Sequence, residues 1–396
     1  MAKVFVTGVG IITSLGDSFE ANREGLKEGQ CGLGPLKNFS TKYANSLLFG
    51  EINLSDTQLK DLLNVKESGV SRTSLLALHA FNQAIVDAEL SMDKISNAAT
   101  ALIIANTVGG MCLTDELYKD ANQKNFGSEY IASYDCAATT VFLQKKFNIR
   151  GVVNTINTAC SSSANAIMYG TRLIKNGYAE RVIVGGTDAL AKFTINGFNS
   201  LHILSSGLCA PFDNNRNGLN LGEGAAFLVL ETEKNSLGKK RYAEVTGYAN
   251  TNDAFHPSTL SENGTGPFSA MEKVLEQASL KPSDIDFINT HGTGTENNDV
   301  VESKAMIRLF KDKMPAFTST KSNIGHTLGA AGAIEAVYCI LNLLHQEIYP
   351  SLNFKEPIVD TNLIPEQRYY ETELKNVMSN SFGFGGNCSS LIFSKV

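Results

Sequence analysis

The chain has 396 residues, 43% hydrophobic and 19% charged, with 34 glycines against nine prolines, a balance that excludes disordered, collagen-like and charge-blocked classes. A formal charge of −6 with scattered Lys and Arg lacks the basic stripe that a phosphate backbone requires, so nucleic acid is not an expected partner. At roughly 150 residues per domain, the length suits two or three ordinary domains or one large duplicated one.

The opening segment, MAKVFVTGVGIITSLGD, reads as a strand and turn without a cationic leader, and the expected compartment is the cytoplasm. Residues 4–7, 101–105, 152–156 and 181–184 are β-branched, strand-like runs. Helix-length amphipathic stretches, including 71–90, alternate with them. Such alternation predicts α/β layers. Residues 233–240 form a polar break with a weak repeat on either side: Val6-Thr7-Gly8 recurs as Val245-Thr246-Gly247. Gly222-Glu223-Gly224 leads into Phe227-Leu228-Val229-Leu230 much as Gly385-Gly386 leads into Leu391-Ile392-Phe393. The predicted organisation is two related halves, 1–240 and 241–396. Residues 330–344 are too few to span a bilayer and include Glu335 and Asn342, which predicts a buried helix and no membrane span. The seven cysteines are odd in number and lack CxxC spacing. They predict reduced thiols, with neither a disulfide framework nor a metal site.

Three residues stand out chemically. Cys160, in Thr158-Ala159-Cys160-Ser161, falls between a strand-like run and a helical stretch. A helix N-terminus there would favour its thiolate and stabilise an oxyanion on a bound thioester. His291 follows strand-like Asp286-Phe287-Ile288 and enters a glycine-rich loop, and His326 precedes a helix of small residues. A thiol and two histidines at element ends form a candidate nucleophilic constellation. Glu335 sits on an apolar helix and needs Lys321, a cation or water at the helix edge to balance it. The loop Phe382-Gly383-Phe384-Gly385-Gly386 is either a tight turn or a place where backbone meets a ligand. His79, His202, His256 and His345 read as structural or solvated. Gly8-Val9-Gly10 lacks the spaced third glycine of a dinucleotide site, and no phosphate-loop motif occurs.

Taken in order, TACSSS, PFDNNRNGLNLGEGA, NTHGTGTENND, KSNIGHTLGAAGAIEA and NSFGFGG resemble the β-ketoacyl-acyl carrier protein synthases, the elongating condensing enzymes of fatty acid and polyketide synthesis. The resemblance implies a thiolase-like duplicated fold of five αβαβα layers, no required cofactor, and substrates carried on the phosphopantetheine of acyl carrier protein. It also implies a homodimer, or a heterodimer with a related subunit. By the same resemblance Cys160 is the acyl-accepting nucleophile, and His291 and His326 bind the malonyl thioester and favour decarboxylation. Lys321 and Glu335 organise the histidines, while the backbone N–H groups of Cys160 and Phe384 hold the oxyanion. Phe384 is the gate, Thr293 and Thr295 bind the pantetheine arm, and Val108 and Met111 line the acyl pocket. Arg216 and Glu223 are structural. Asn387 and Cys388 stand where Thr and Asn are usual, Lys66 and Arg72 are candidates for carrier docking, and Gly197-Phe198-Asn199-Ser200-Leu201 resembles versions from specialised polyketide or polyene pathways. A non-catalytic chain-length subunit is disfavoured by the intact thiol and histidines. A coenzyme A thiolase would need a second reactive cysteine, for which Cys388 is the nearest candidate.

Overall fold

The computed structural model describes residues 2–396. Its core is a twisted mixed sheet built from ten strands. In the first half these are β1 (Val4–Ile12), β2 (Thr100–Ala105), β3 (Val153–Ile156), β4 (Arg181–Asp188) and β5 (Gly224–Thr232). In the second they are β6 (Ala243–Asn252), β7 (Phe287–Asn289), β8 (Ala316–Thr318), β11 (Asn376–Gly383) and β12 (Asn387–Ser394). A two-residue pair, β9 (Glu347–Ile348) with β10 (Tyr370–Glu371), lies apart from them.

The order β3-β2-β4-β5-β1-β6-β12-β11-β7-β8 is a mirror of itself. In each half the two outer pairings are parallel and the two inner ones antiparallel. The halves meet where Phe5 and Val6 of β1 face Glu244 and Ala243 of β6. The repeated Val-Thr-Gly thus begins the two strands at the seam, and its glycine has a packing reason in both. A Cβ at Gly8 would stand 2.5 Å from the carbonyl of Ala84, and one at Gly247 would stand 3.0 Å from that of Val274. In each half a helix presses directly on the sheet backbone.

Alternating side chains build the layers. Ala101, Ile103, Ala226, Leu228, Val377 and Leu391 point to a central core shared with two helices, Ser162–Lys175 and Ala331–His345. Leu102, Ile104, Phe227 and Val229 point the other way, onto the helix Arg72–Asp87. Met378 and Ile392 do the same toward the helices Thr265–Ala278 and Glu296–Phe310. The result is the five-layered αβαβα arrangement of the duplicated thiolase-like fold.

Two helix expectations change in detail. The 71–90 stretch is a helix over Arg72–Asp87, but nine of its first ten residues are buried, because the helices Asp56–Leu63 and Ala137–Lys146 cover its outer face. It is therefore a core helix at its start. Continuous with a turn at Leu328–Ala330, the 330–344 run becomes an 18-residue apolar segment, Leu328–His345, long enough for a bilayer, yet 89% buried in the core.

Candidate active site

Cys160 ends a tight turn between β3 and the helix Ser162–Lys175, with Ala159 before it held at φ +53°. Hydroxyls hold this turn: Ser162 Oγ accepts from the N–H of Thr158 at 2.8 Å, and Ser161 Oγ donates to the Thr158 carbonyl at 2.8 Å. The strained residue is the element that turns the thiol inward. The expectation of a thiolate-favouring site is only partly met. Burial pushes the Cys160 thiol up to about 11, against the opposing pull of Lys321 and of the backbone N–H groups of Phe384 and Cys160 itself. The resting nucleophile is a thiol at neutral pH.

Sγ of Cys160 and one ring nitrogen each from His291 and His326 lie within 4.8 Å of one another, all buried. The two imidazoles meet edge to face, with centroids 5.4 Å apart, and Phe382 packs against His291 at 5.8 Å. Burial, with Lys321 nearby, lowers both histidines well below their ordinary range, so both are neutral. The N–H of Leu328 donates to His326 Nδ1 at 3.2 Å, which assigns the ring proton to Nε2. That Nε2 is buried without a protein partner, as is Nδ1 of His291.

Each histidine is held by its backbone. The N–H of His326 donates to the Asn220 carbonyl at 2.7 Å, and its own carbonyl accepts from Gly222 at 2.9 Å, which explains the GLNLGEG motif. Around His291 two buried carboxylates replace a strand partner. Glu302 accepts from the N–H groups of His291 and Gly292 at 2.9 Å each, and Asp299 accepts from Thr293 at 3.0 Å. Sequence reasoning passed over both acids, although their spacing of three on the helix Glu296–Phe310 puts them on one face beneath the loop. It also passed over Asp188, which accepts from the N–H groups of Val108 at 2.8 Å and Gly329 at 2.7 Å, tying the loop at 107–108 to the one after His326.

Lys321 is buried and its Nζ donates to Glu335 Oε1, so the helix-edge alternative for Glu335 does not apply. Glu335 Oε2, both amide atoms of Asn289 and the hydroxyls of Ser379 and Ser381 are buried without a protein partner. The gate loop lies against the nucleophile: a Cβ at Gly383 would come within 2.8 Å of the Thr158 carbonyl and 3.1 Å of the Cys160 nitrogen. Gly386, at φ +77°, has the Asp253 carbonyl 1.9 Å from where a Cβ would stand, so only glycine fits. Phe384 stacks on Phe198, centroids 5.9 Å apart and planes 17° apart.

A cavity of about 300 Å³ gathers Cys160, His291, His326, Phe384, Thr293 and Thr295, with the two threonine hydroxyls 2.8 Å apart. His202, read from sequence as structural or solvated, lines its mouth. Val108 and Met111 do not line this cavity. Val108 is enclosed in an apolar cluster behind it, and Met111 faces a second cavity. Asn387 preserves polar contacts behind the gate: its Oδ1 accepts from Asn165 Nδ2 at 2.9 Å and Asn250 Nδ2 at 2.7 Å. Cys388 is fully buried beside Leu260, Ala270, Val301 and Phe382, away from the cavity lining, because β12 turns its side chain into that cluster. Arg72, a candidate for carrier docking, is buried and bonded to Glu223 at 2.6 Å and Asp56 at 2.7 Å, and so presents no charge to a partner. Lys66 is exposed. Glu223 and Arg216 have structural contacts, the latter to the carbonyls of Thr295 and Glu296.

Residues 1–236 match the family model described as beta-ketoacyl synthase, N-terminal domain, and residues 242–355 match beta-ketoacyl synthase, C-terminal domain. The chain is 33% identical over 411 residues to 3-oxoacyl-[acyl-carrier-protein] synthase 2 of Synechocystis sp., covering 99% of this chain and 98% of that one. It is 32% identical over 412 residues to 3-oxoacyl-[acyl-carrier-protein] synthase 1 of Haemophilus influenzae, covering 100% and 99%. Among solved structures, the ishigamide ketosynthase/chain length factor superposes with a TM-score of 0.93 at 29% identity, covering 100% of this chain and 99% of that one.

Proposed function

The chain belongs to the β-ketoacyl synthase family and is an acyltransferase that condenses an acyl-enzyme thioester with malonyl carrier protein, and from that premise we propose how its own residues divide the work. Cys160 Sγ attacks the carbonyl of an acyl thioester carried on phosphopantetheine. The pantetheine thiolate leaves and takes up the thiol proton, and the acyl group remains on Cys160. Malonyl carrier protein then enters along Thr293 and Thr295. Its thioester oxygen receives the N–H of neutral His326 and a hydrogen bond from His291, which stabilise the enolate as carbon dioxide departs. The enolate carbon attacks the acyl carbonyl, the N–H groups of Cys160 and Phe384 hold the oxyanion, and Sγ then leaves as a thiolate that takes up a proton from solvent to restore the resting thiol. Decarboxylation supplies the carbanion, so no strong base is needed.

The observation carrying this reading is one thiol and two neutral imidazoles within 4.8 Å in one cavity. Replacing Cys160 by Ala tests it: β-ketoacyl product falls to background in an assay with acyl and malonyl carrier proteins, and product at the parent rate refutes the assignment. Burial of Cys388 away from the cavity leaves the thiolase reading without its second thiol. For assembly, we infer a homodimer through β3. This strand ends the sheet with an unpaired edge, and exposed Phe126, Ile131 and Val141 need cover. A heterodimer with a related subunit is the alternative assembly, on the pattern of the ishigamide ketosynthase/chain length factor. Free thiols at all seven cysteines support a cytoplasmic location.

A further inference from the structure

Two cavities border one apolar cluster. The Cys160 cavity reaches it at Phe198, Ile203 and Leu219, and a second cavity of about 420 Å³ reaches it at Met111, Leu190 and Ala191. The other members include Val108, Ile195 and Leu328, each 5% exposed or less, which line neither cavity. Leu328 also donates its N–H to His326, so the cluster begins at the catalytic histidine. An acyl chain extending from Cys160 by apolar contact meets this cluster, and must displace its buried side chains to reach the second cavity.

The second cavity has a different lining from an ordinary lipid tunnel. Beside Phe39, Leu113 and Phe193 it exposes Asn38, Asn196, Thr114 and the Lys192–Asp115 ion pair. Its cations are already matched: Lys192 with Asp115, and Arg72 with Glu223 and Asp56. Asn196 commits its Nδ2 to the carbonyl of Lys192 at 2.8 Å and keeps its Oδ1 as a free acceptor. An anionic chain end finds no unpaired cation there, and Glu116, a lining carboxylate without an ion-pair partner, repels it while offering a further acceptor. A methyl end strips water from polar walls without replacing it.

We propose that this cavity is the distal subsite for the primer, and that it selects acyl chains ending in a neutral hydrogen-bonding group, such as a hydroxyl, over methyl-ended chains. The inference rests on the acyl-Cys160 reading above.

The test compares ω-hydroxyacyl and methyl-ended acyl carrier proteins of equal, long chain length, with butyryl carrier protein as the short primer. For the full chain, kcat/KM is expected to favour the hydroxyl-ended primer by about tenfold, since a polar subsite discriminates against a partner that leaves its groups unpaired. Asn196→Leu and, separately, Lys192→Met should shrink that ratio toward one. Both lie at the surface end of the cavity, and circular dichroism checks their folding. A ratio near one in the parent overturns the proposal, as does a large ratio that neither substitution changes. Butyryl loading on Cys160 with no preference among long primers defeats this inference alone. The absence of any adduct, butyryl included, defeats the underlying reading with it.

Discussion

The backbone N–H of Leu328 donates to Nδ1 of His326 across 3.2 Å, from a residue held in the left-handed region at φ +53°. This bond sets which nitrogen carries the proton, and so which nitrogen can donate to a developing enolate. A non-glycine residue bears the backbone strain that aims the N–H.

His326→Ala should therefore lower malonyl decarboxylation and condensation by about 10² to 10³, the usual cost of one lost donor to a developing oxyanion. Acyl loading of Cys160 should fall by much less. His326→Gln, whose amide N–H can stand in for Nε2–H, should recover part of the loss. Separate loading and decarboxylation assays check this, and equal loss of both steps contradicts the role.

The neutral histidines give a pH prediction. Because both lie well below their ordinary range, decarboxylation should stay level as pH falls from 8 through the usual histidine range near 6.5. Activity is lost only lower, when the folded-state values are reached and the imidazoles take up protons. Initial rates measured with a carrier protein stable across this range decide it.

Alkylation of free Cys160 should be slow at pH 7 and rise steeply toward pH 10, since its thiol sits at about 11. Lys321→Met removes the cation that favours the thiolate and should slow alkylation further at each pH. Mass mapping of the iodoacetamide adduct separates Cys160 from exposed Cys31.

Glu302 links the loop to stability. Burial raises its carboxyl to about 7, from an ordinary value near 4.5. The folded chain thus holds this proton more tightly than the unfolded one. Its contribution is full below about 4.5 and is lost as pH rises through about 7. Glu302→Gln should remove this pH dependence across that window, while lowering stability at every pH, because its amide nitrogen cannot accept from one of the two backbone N–H groups that the carboxylate serves. Urea unfolding at several pH values measures the difference.

Much of this was legible before the fold. The Val-Thr-Gly repeat marked the two seam strands because each glycine receives a helix at close range, a constraint that leaves a local sequence trace. Cys160, His291 and His326 were found because each sits at an element end inside a short motif. Asp188, Asp299 and Glu302 were not, since a buried acid serving backbone N–H groups resembles any surface acid until the loop it supports is placed. Arg72 misled for the same reason: a lysine or arginine near a helix start reads as exposed, and only Glu223, 151 residues away, shows why it is buried. The partition of the apolar residues between two cavities, with Val108 and Met111 behind the first, depends on packing that no single segment encodes.

The most direct test is intact-protein mass spectrometry of the purified chain, mixed with acyl carrier proteins of several chain lengths and then with malonyl carrier protein. The account predicts an acyl adduct on Cys160, absent from Cys160→Ala, that disappears as an elongated β-ketoacyl product forms. Product formation by Cys160→Ala at the parent rate, or elongation with no adduct at Cys160, would contradict it.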